Sequence, residues 1–486
     1  MGKILPVSSE LAPPVESFAL RGGRRALSLH ATGFRHAAGW LAGGETFAGY
    51  DEITDLSLGR RGLRIGTLRS VLRLPRKLFV DADAPERLAA ALVERIGREP
   101  DASLRLARMA EIGELARHGA PLRATWVAIA LCIGVHLASL SIGPGVHEAG
   151  HFGSTYFRAG EWWRLLSANF LHGGLVHLAL NAIGLLALGE LVERPLGSAR
   201  TALVLLASGS VGMLAGLAAG YEQTVGASGM VCGLAGAVVV LELRIPDRLP
   251  AAWRLPRRLL AVALGADALL SLVVPFIAGA VHLGGFFAGA AVAFAVTPVT
   301  PRTARVPAWV GAAAGVAIVA VVAVAATVAR ETVGGADSLA RRAERLMALP
   351  GAPAVLLNNT AWMLVTSPEP TDAQIEIALR SAQRAVSQTG RSDPNFLDTL
   401  AESQFAAGRS EDAIETIDEA IALAPGEAYF LEQRRRFTGE RAAEDRPAPP
   451  AEPDPEAIAP FLDPWSEPRE LPPGHPPLDE EPGISV

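Results

Sequence analysis

Two short segments of this sequence hold the residues whose types and spacing could do chemistry. The tetrapeptide Gly-Ala-Ser-Gly at 226–229 sets Ser228 at the head of an apolar run that ends near Leu243. A second apolar run carries His282 in the pentapeptide Val-His-Leu-Gly-Gly at 281–285. A serine hydroxyl becomes a nucleophile when a neighbouring base takes its proton, and histidine is the commonest such base. The two segments therefore predict a serine nucleophile and a histidine base inside a membrane.

Acyl transfer also needs hydrogen-bond donors for an oxyanion, and the sequence offers three. Ser228 begins a helix, so its backbone N–H is among the unpaired donors at a helix N-terminus. His177 and Asn181 stand four residues apart in an earlier apolar run, hence on one helix face. Polar groups on one stripe of a membrane helix usually face the protein interior. We expect the side chains of His177 and Asn181 and the amide of Ser228 to form this site.

The composition predicts an all-α polytopic membrane protein with soluble ends. Half of the 486 residues are hydrophobic, mean hydropathy is +0.28, and charged residues concentrate in the first 120 and last 155 positions. Windows of about 17–22 apolar residues predict seven spans, with the turn between the fifth and sixth at Pro275. A net charge of −6 without a basic block gives no reason to expect nucleic-acid binding, and no signal peptide is expected at the start. The seven windows are 124–142, 173–192, 200–220, 226–243, 258–274, 277–297 and 308–329.

Arginines flank the N-terminal side of the first window and recur in alternate connections, which predicts a cytoplasmic N-terminus. Seven crossings then put the chain after Arg330 on the outer side of a bacterial cytoplasmic membrane, although Arg330, Arg341, Arg342 and Arg345 run against that trend. In this orientation Ser228 and His282 lie at similar depths near the outer surface. Equal depth is what a hydrogen-bonded pair requires.

Glycines predict how the helices of Ser228 and His282 approach each other. Gly229 and Gly233 in the fourth window, with Gly285 and Gly289 in the sixth, form small-xxx-small patterns. Such patterns let two helix backbones come into contact. Contact between these backbones would bring Ser228 Oγ within reach of His282.

These residues resemble the rhomboid family of intramembrane serine proteases over roughly 120–300. The family pattern is also met by Trp163-Arg164 in the first outer loop, by the segment ending at Asn181, and by the His-x-x-Gly-x-x-x-Gly of the sixth window. The resemblance implies a six-plus-one helix bundle with Ser228 as nucleophile and His282 as base. His177, Asn181 and the Ser228 amide would be the oxyanion donors, single-span membrane proteins the substrates, and no cofactor or metal is expected. Two departures, Val281 for a common alanine and Cys232 for a common aromatic residue, bear on pocket shape. The glycines expected to pack or to shape the turn are Gly226, Gly229, Gly233, Gly285 and Gly289.

Two alternatives remain open from the residues. His147-Glu148-Ala149-Gly150-His151 fits the His-Glu-x-x-His zinc pattern, in which Glu148 would be the general base. Flanking glycines leave barely two turns for that helix, and the nearest intramembrane third ligand is Asp267, which is followed by Ala268 rather than glycine. Asp267 has no other predicted role. The non-enzyme alternative is an inactive rhomboid-like adaptor that binds membrane helices and recruits partners.

The soluble ends predict three further segments around the membrane domain of 121–330. Residues 1–120 alternate β-like runs with turns and close on a helix from Pro85 to Ile96 capped by Asp83, as in a small pleckstrin-homology-type or generic α+β domain, followed by a surface helix at 101–118. Residues 340–438 resemble two tetratricopeptide repeats, which bind peptides or proteins. Residues 439–486, rich in Pro, Asp and Glu, are expected to be disordered.

Overall fold

The computed structural model of the chain describes residues 13–21, 26–37, 45–67, 70–255, 257–274, 277–298 and 306–447. These residues form two compact units, Met1–Ser338 and Leu339–Val486. The predicted turn at Pro275, the start of the chain and most of the predicted disordered tail lie outside the described residues.

The N-terminal region contains the predicted β structure, in two antiparallel sheets. The first sheet has the strands β1 to β4 in sequential order, Glu16–Phe18, Leu27–Leu29, Gly33–Ala37 and Glu45–Gly49. The second has β5 to β7, Ile53–Gly59, Gly62–Thr67 and Val71–Pro75. Two helices follow, α1 at Ala84–Ile96 and α2 at Ala102–His118. Leu88, Leu92 and Ile96 are fully buried and pack α1 into the same core as the strands.

Asp83 stands at the predicted N-cap position of α1 but does not cap the helix with its side chain. Asp83 precedes the helix, but its carboxylate makes no capping hydrogen bond. It pairs instead with Arg87 one turn later, at 3.1 Å, and a charge pair of this kind competes with the backbone for the carboxylate.

Seven helices cover the predicted membrane windows. They are α3 Arg123–Ile142, α7 Leu175–Leu196, α8 Ser198–Ala218, α9 Ser228–Arg244, α10 Arg257–Val273, α11 Gly279–Val296 and α12 Ala308–Val333. Between α3 and α7 lie the short helices α4 Gly145–Gly150, α5 Ser154–Arg158 and α6 Arg164–Ser167, together with β8, Phe152–Gly153. β8 pairs antiparallel with β9, Gln223–Thr224, immediately before α9. The connection before α9 is therefore tied to the loop between α3 and α7.

Five of the seven helices, α3, α7, α8, α11 and α12, are long and apolar enough to cross a membrane. The chain is a multi-pass membrane protein. α9 and α10 have 17 residues each, at the short end of the length that a crossing needs. Seven crossings therefore stay a prediction. α9 is the most enclosed of these helices, with buried residues on most of its surface from Gly229 to Glu242.

The second N-terminal sheet lies against the connection that leads from α9 into α10. The Asp55 carboxylate accepts a hydrogen bond from the Ala251 amide at 3.0 Å. Arg254 donates to the carbonyl of Thr67 at 3.1 Å and to the hydroxyl of Thr54 at 2.7 Å. The helix predicted at 101–118 is present as α2, and it joins the same contact through an Arg108–Asp247 ion pair at 2.5 Å.

The second unit consists of helices that pack in sequence. After α13, Gly335–Ala348, come α14 Ala354–Val365, α15 Asp372–Gln388, α16 Pro394–Ala406, α17 Ser410–Leu423 and α18 Ala428–Phe437. Asp398 is buried between α16 and α18, where it accepts hydrogen bonds from Tyr429 and Gln433 at 3.0 Å each. Burial raises the pKa of Asp398 to about 7. The tetratricopeptide assignment of these helices stays a prediction.

Candidate active site

Ser228 is the first residue of α9 and is half-buried. The turn before it is shaped by Gly226, whose φ of 120° is a conformation that residues with a side chain rarely adopt. A Cβ at Gly226 would lie 2.7 Å from Cε1 and Nε2 of His177, so no larger residue fits. The Gly226 amide donates to the Ala168 carbonyl at 2.9 Å, which ties this turn to the loop between α3 and α7. Ser228 is thus held at a helix N-terminus, where backbone N–H groups lack helical partners.

The two predicted side-chain donors lie on α7 beside the same turn. Asn181 is buried, and its Nδ2 donates to the His177 carbonyl at 3.0 Å. A Cβ at Gly226 would also lie 3.7 Å from that Nδ2. Both side chains therefore lie beside the residue that stands two before Ser228. His172 packs its ring edge-on against His177, with centroids 5.1 Å apart, and burial lowers the pKa of His172 to about 4.

Glycines hold α9 and α11 in backbone contact. A Cβ at Gly285 would lie 2.3 Å from the Gly229 carbonyl oxygen, and one at Gly289 would lie 2.2 Å from the Gly233 carbonyl oxygen. Val281 is fully buried, and its Cγ1 would be 3.3 Å from a Cβ at Gly229. The extra volume of Val281 relative to alanine thus fills space beside the helix turn that follows Ser228.

His282 projects from α11 toward α9 and α10. Its Nδ1 lies 2.8 and 3.0 Å from the two carboxylate oxygens of Asp267 on α10. The Cys232 sulfur, a ring nitrogen of His282 and an Asp267 oxygen all lie within 4.8 Å of one another. Cys232 follows Ser228 by four residues and so shares its face of α9. The imidazole of His282 therefore lies beside the helix face that carries Ser228.

Among the described residues, no hydrogen bond joins Ser228 Oγ to His282. Nδ1 is the nitrogen that pairs with the carboxylate, so it carries a proton, and Nε2 is the nitrogen that could accept one. Catalytic hydrogen bonds are often long in enzymes without substrate. The Ser228–His282 pair thus stays a proposal, while its two members are brought to the same part of the helix bundle.

The loop between α3 and α7 is built around Arg164. Arg164 is fully buried and pairs with the buried Glu161 at 2.6 Å. It also donates to the carbonyls of His151 and Glu148, both at 2.8 Å. Trp163 donates from its indole N–H to the Ala149 carbonyl at 3.2 Å. Trp163 and Arg164 therefore organise this loop, and neither contacts Ser228 through these bonds.

The His-Glu-x-x-His segment forms part of the hydrogen-bonded structure of this loop. His147 and Glu148 lie in the six-residue α4, while His151 follows it and its Nδ1 lies 2.8 Å from the His147 carbonyl. Arg164 anchors two carbonyls of the segment. Within the part of the chain that the structure describes, the one close group of three ligand-type side chains is Cys232, Asp267 and His282. Asp267, the nearest intramembrane candidate for a third zinc ligand, therefore lies with His282 and not with the histidines of this segment.

The pairing of Asp267 with His282 is the feature that sequence reasoning missed. A carboxylate inside a membrane helix is costly unless it finds a partner. Asp267 stands near the end of α10 and His282 near the start of α11, so a helical hairpin brings them to one depth. These two signals together could have identified the pair.

Comparison with known proteins finds similarity to the rhomboid family in this part of the chain. Residues 159–299, which include α7 to α11, match the Rhomboid domain family. The chain is 43% identical over 84 residues to the rhomboid protease GluP of Bacillus subtilis, a match that covers 17% of each chain. It is 38% identical over 133 residues to RHOMBOID-like protein 4 of Arabidopsis thaliana, covering 26% of this chain and 32% of that protein.

A third relative, RHOMBOID-like protein 5 of Arabidopsis thaliana, is 29% identical over 154 residues, which cover 30% of this chain and 48% of that protein. The chain thus spans less than half the length of each of these three relatives. The matches support a rhomboid-family membrane domain.

Proposed function

We propose that the chain is an intramembrane serine endopeptidase in which Ser228 is the nucleophile and His282 the general base. One observation carries this proposal. α11 contacts α9 through glycines, and the His282 ring thereby lies beside the face of α9 that begins with Ser228. The similarity to a protein named a rhomboid protease supports the same activity.

In this mechanism Ser228 Oγ attacks the carbonyl carbon of the scissile peptide while Nε2 of His282 takes the hydroxyl proton. The tetrahedral oxyanion is stabilised by hydrogen-bond donors at the start of α9. When the C–N bond breaks, His282 returns the proton to the leaving amine, and an ester on Ser228 remains. A water, deprotonated by His282, then hydrolyses this ester. The chain's own groups suffice for every proton transfer, so the proposed reaction involves no cofactor.

The oxyanion donors are proposed to be His177, Asn181 and the Ser228 amide, because both side chains lie beside Gly226 in the turn before Ser228. We expect His177→Ala and Asn181→Ala each to lower kcat by roughly 10²–10³-fold, the usual cost of one oxyanion donor. Ile183→Ala, on the exposed side of the same helix, should leave kcat unchanged. The measurement is the initial rate of cleavage of a transmembrane reporter. Complete loss in a folded Asn181→Ala variant would assign Asn181 another role.

The proposed substrates are membrane proteins whose transmembrane segments unwind near the outer surface, reached through the lipid bilayer. Ser228 lies at the end of its helix and not at its middle, which supports a cleavage site near one membrane surface. A reporter with a glycine-containing transmembrane helix is therefore the appropriate substrate for the assays.

The serine mechanism and the zinc alternative predict opposite responses to metal removal. We expect a chelator and His147→Ala to leave reporter cleavage within about twofold of the untreated wild type, because an activated serine needs only a base. His147→Ala preserves the carbonyl that His151 contacts. Loss of cleavage with a chelator, restored by added zinc, would promote the metalloprotease based on His147, Glu148 and His151.

The adaptor alternative is favoured by one observation among the described residues, the missing hydrogen bond between Ser228 and His282. An adaptor would bind membrane helices without cleaving them, and the second unit would recruit partners. The same reporter distinguishes the two, since an adaptor captures it intact with or without Ser228.

The regions outside the bundle are proposed to be accessory domains. The seven helices would form the six-plus-one arrangement in a bacterial cytoplasmic membrane, with a pleckstrin-homology-like N-terminal domain in the cytoplasm. The helices of the second unit would act as tetratricopeptide-like repeats that bind peptide or protein partners on the outer side.

The outer location of the second unit has a direct test. Gln383 is exposed on α15, so Gln383→Cys should react with a membrane-impermeant maleimide in intact spheroplasts. Lys77→Cys, exposed in the N-terminal region, should react only after lysis. The parent chain reports background from Cys132 and Cys232. Labelling of Gln383→Cys only after lysis would mean that the number of crossings is even.

A further inference from the structure

Asp267 forms a close contact with His282 that has no role in the proposed Ser228–His282 dyad. Its two carboxylate oxygens lie 2.8 and 3.0 Å from Nδ1 of His282. The side chain of His282 is 13% exposed and that of Asp267 is 33% exposed, so the surrounding helices partly enclose the contact. Resting on the proposed function, we propose that Asp267 is a positioning residue that orients His282 and fixes the nitrogen that carries its proton.

The hydrogen bond between Asp267 and His282 assigns a role to each ring nitrogen. An ionised carboxylate only accepts, so the contact holds the proton of the neutral imidazole on Nδ1. Nε2 is then the acceptor, the state that can take the proton of Ser228. Without Asp267 the neutral ring can place its proton on either nitrogen, and the ring is free to turn about its side-chain bonds. Asp267 thus selects both the tautomer and the rotamer of the base.

Asp267 also acts on the positive charge that forms on His282 during the reaction. As Ser228 Oγ forms its bond to the carbonyl carbon, its proton moves to Nε2 and the ring becomes an imidazolium. The Asp267 carboxylate stabilises this positive charge without taking a proton itself, as a buried carboxylate does in a Ser-His-Asp triad. When the ring gives its proton to the leaving amine, the charge disappears and Asp267 is unchanged. Three helices, α9, α10 and α11, therefore contribute one residue each.

The membrane setting also favours the pairing of Asp267 with His282. A lone carboxylate in an apolar helix is expensive, and a hydrogen-bonded partner reduces that cost. α10 also carries no other carboxylate in the described residues 257–274. Its one acid thus pairs with the one histidine of α11.

The test compares four variants in the full chain, reconstituted in liposomes, by reporter cleavage and by the rate of labelling with a fluorophosphonate. Asp267→Asn should lower kcat by roughly 10²-fold or more with KM changed less than about twofold, and should lower the labelling rate by a similar factor. Its amide can donate to Nδ1 and favour the unproductive tautomer, so Asp267→Asn should be at least as impaired as Asp267→Ala. Leu269→Ala, on the exposed side of α10, should match the wild type. Ser228→Ala is the fourth variant.

If Asp267 only packs, Asp267→Asn should keep a higher kcat than Asp267→Ala, because asparagine keeps the shape of aspartate and alanine does not. Wild-type kcat in Asp267→Asn, or a loss confined to Asp267→Ala, would overturn the inference. If Asp267→Asn is not recovered folded, Asp267→Glu is compared with Asp267→Gln, and equal kcat in that pair would overturn it. Cleavage that survives in Ser228→Ala would overturn the proposed function itself, which is a separate result.

Discussion

Replacing Ser228 with alanine should lower reporter cleavage by on the order of 10⁴-fold or more, because the nucleophile is removed and no other hydroxyl replaces it. His282→Ala should lose a comparable factor, and the double variant should be no worse than either single one. Residues that act as one unit in catalysis show this lack of additivity. Cleavage is measured as product formed per folded protein in liposomes.

The matched control for this prediction is Ser139→Ala, which removes a hydroxyl that bonds only its own helix on α3. It should cleave at the wild-type rate. If Ser139→Ala and Ser228→Ala lose the same fraction of activity, the loss comes from membrane-helix stability and not from chemistry. Additive losses in the double variant would indicate that Ser228 and His282 act independently.

Gly289→Ala should disrupt the contact between α9 and α11. A Cβ at this position would lie 2.2, 2.4 and 2.5 Å from the backbone O, Cα and C of Gly233. Backbone atoms cannot rotate away as a side chain can, so the helices must separate. We expect the free energy of unfolding to fall by about 3 kcal/mol, the upper part of the usual range for overpacking. Cleavage of the reporter should be lost with it. Thermal unfolding in detergent, followed by circular dichroism, measures the first effect.

Gly315→Ala on α12 is the control, since a Cβ there would meet no atom within 4 Å. It should unfold at the wild-type temperature or slightly above, because alanine favours helix over glycine. A Gly289→Ala variant that is as stable and active as Gly315→Ala would mean that α9 and α11 do not touch at Gly233.

The sequence predicts the contact of α9 and α11 because four glycines at helical spacing indicate that two helix backbones approach closely. It also predicts the positions of the seven helices, since apolar length is a property of the sequence alone. The N-terminal β structure follows from short alternating runs. Each of these features depends on a local pattern of residues, and a local pattern can be recognised without knowing which distant segments meet.

The missed features depend on which partner a charged side chain finds in the folded chain. Asp267 and His282 meet only when α10 and α11 stand side by side. Arg164 meets the family pattern in the sequence, but its burial against Glu161 and two carbonyls of the loop is evident only in the structure. Asp83 lies where a cap is expected, but its carboxylate pairs with Arg87. In each case several partners are open to the charged side chain, and residue type alone does not specify which one it takes.

Covalent labelling of the serine tests the central claim most directly. Wild-type protein in liposomes is treated with a fluorophosphonate, digested, and analysed by mass spectrometry for the modified peptide. The account predicts one phosphonylated residue, Ser228, with no labelling in Ser228→Ala and strongly reduced labelling in His282→Ala. An unmodified Ser228 in protein that still cleaves the reporter, or a modification that persists in Ser228→Ala, would contradict it.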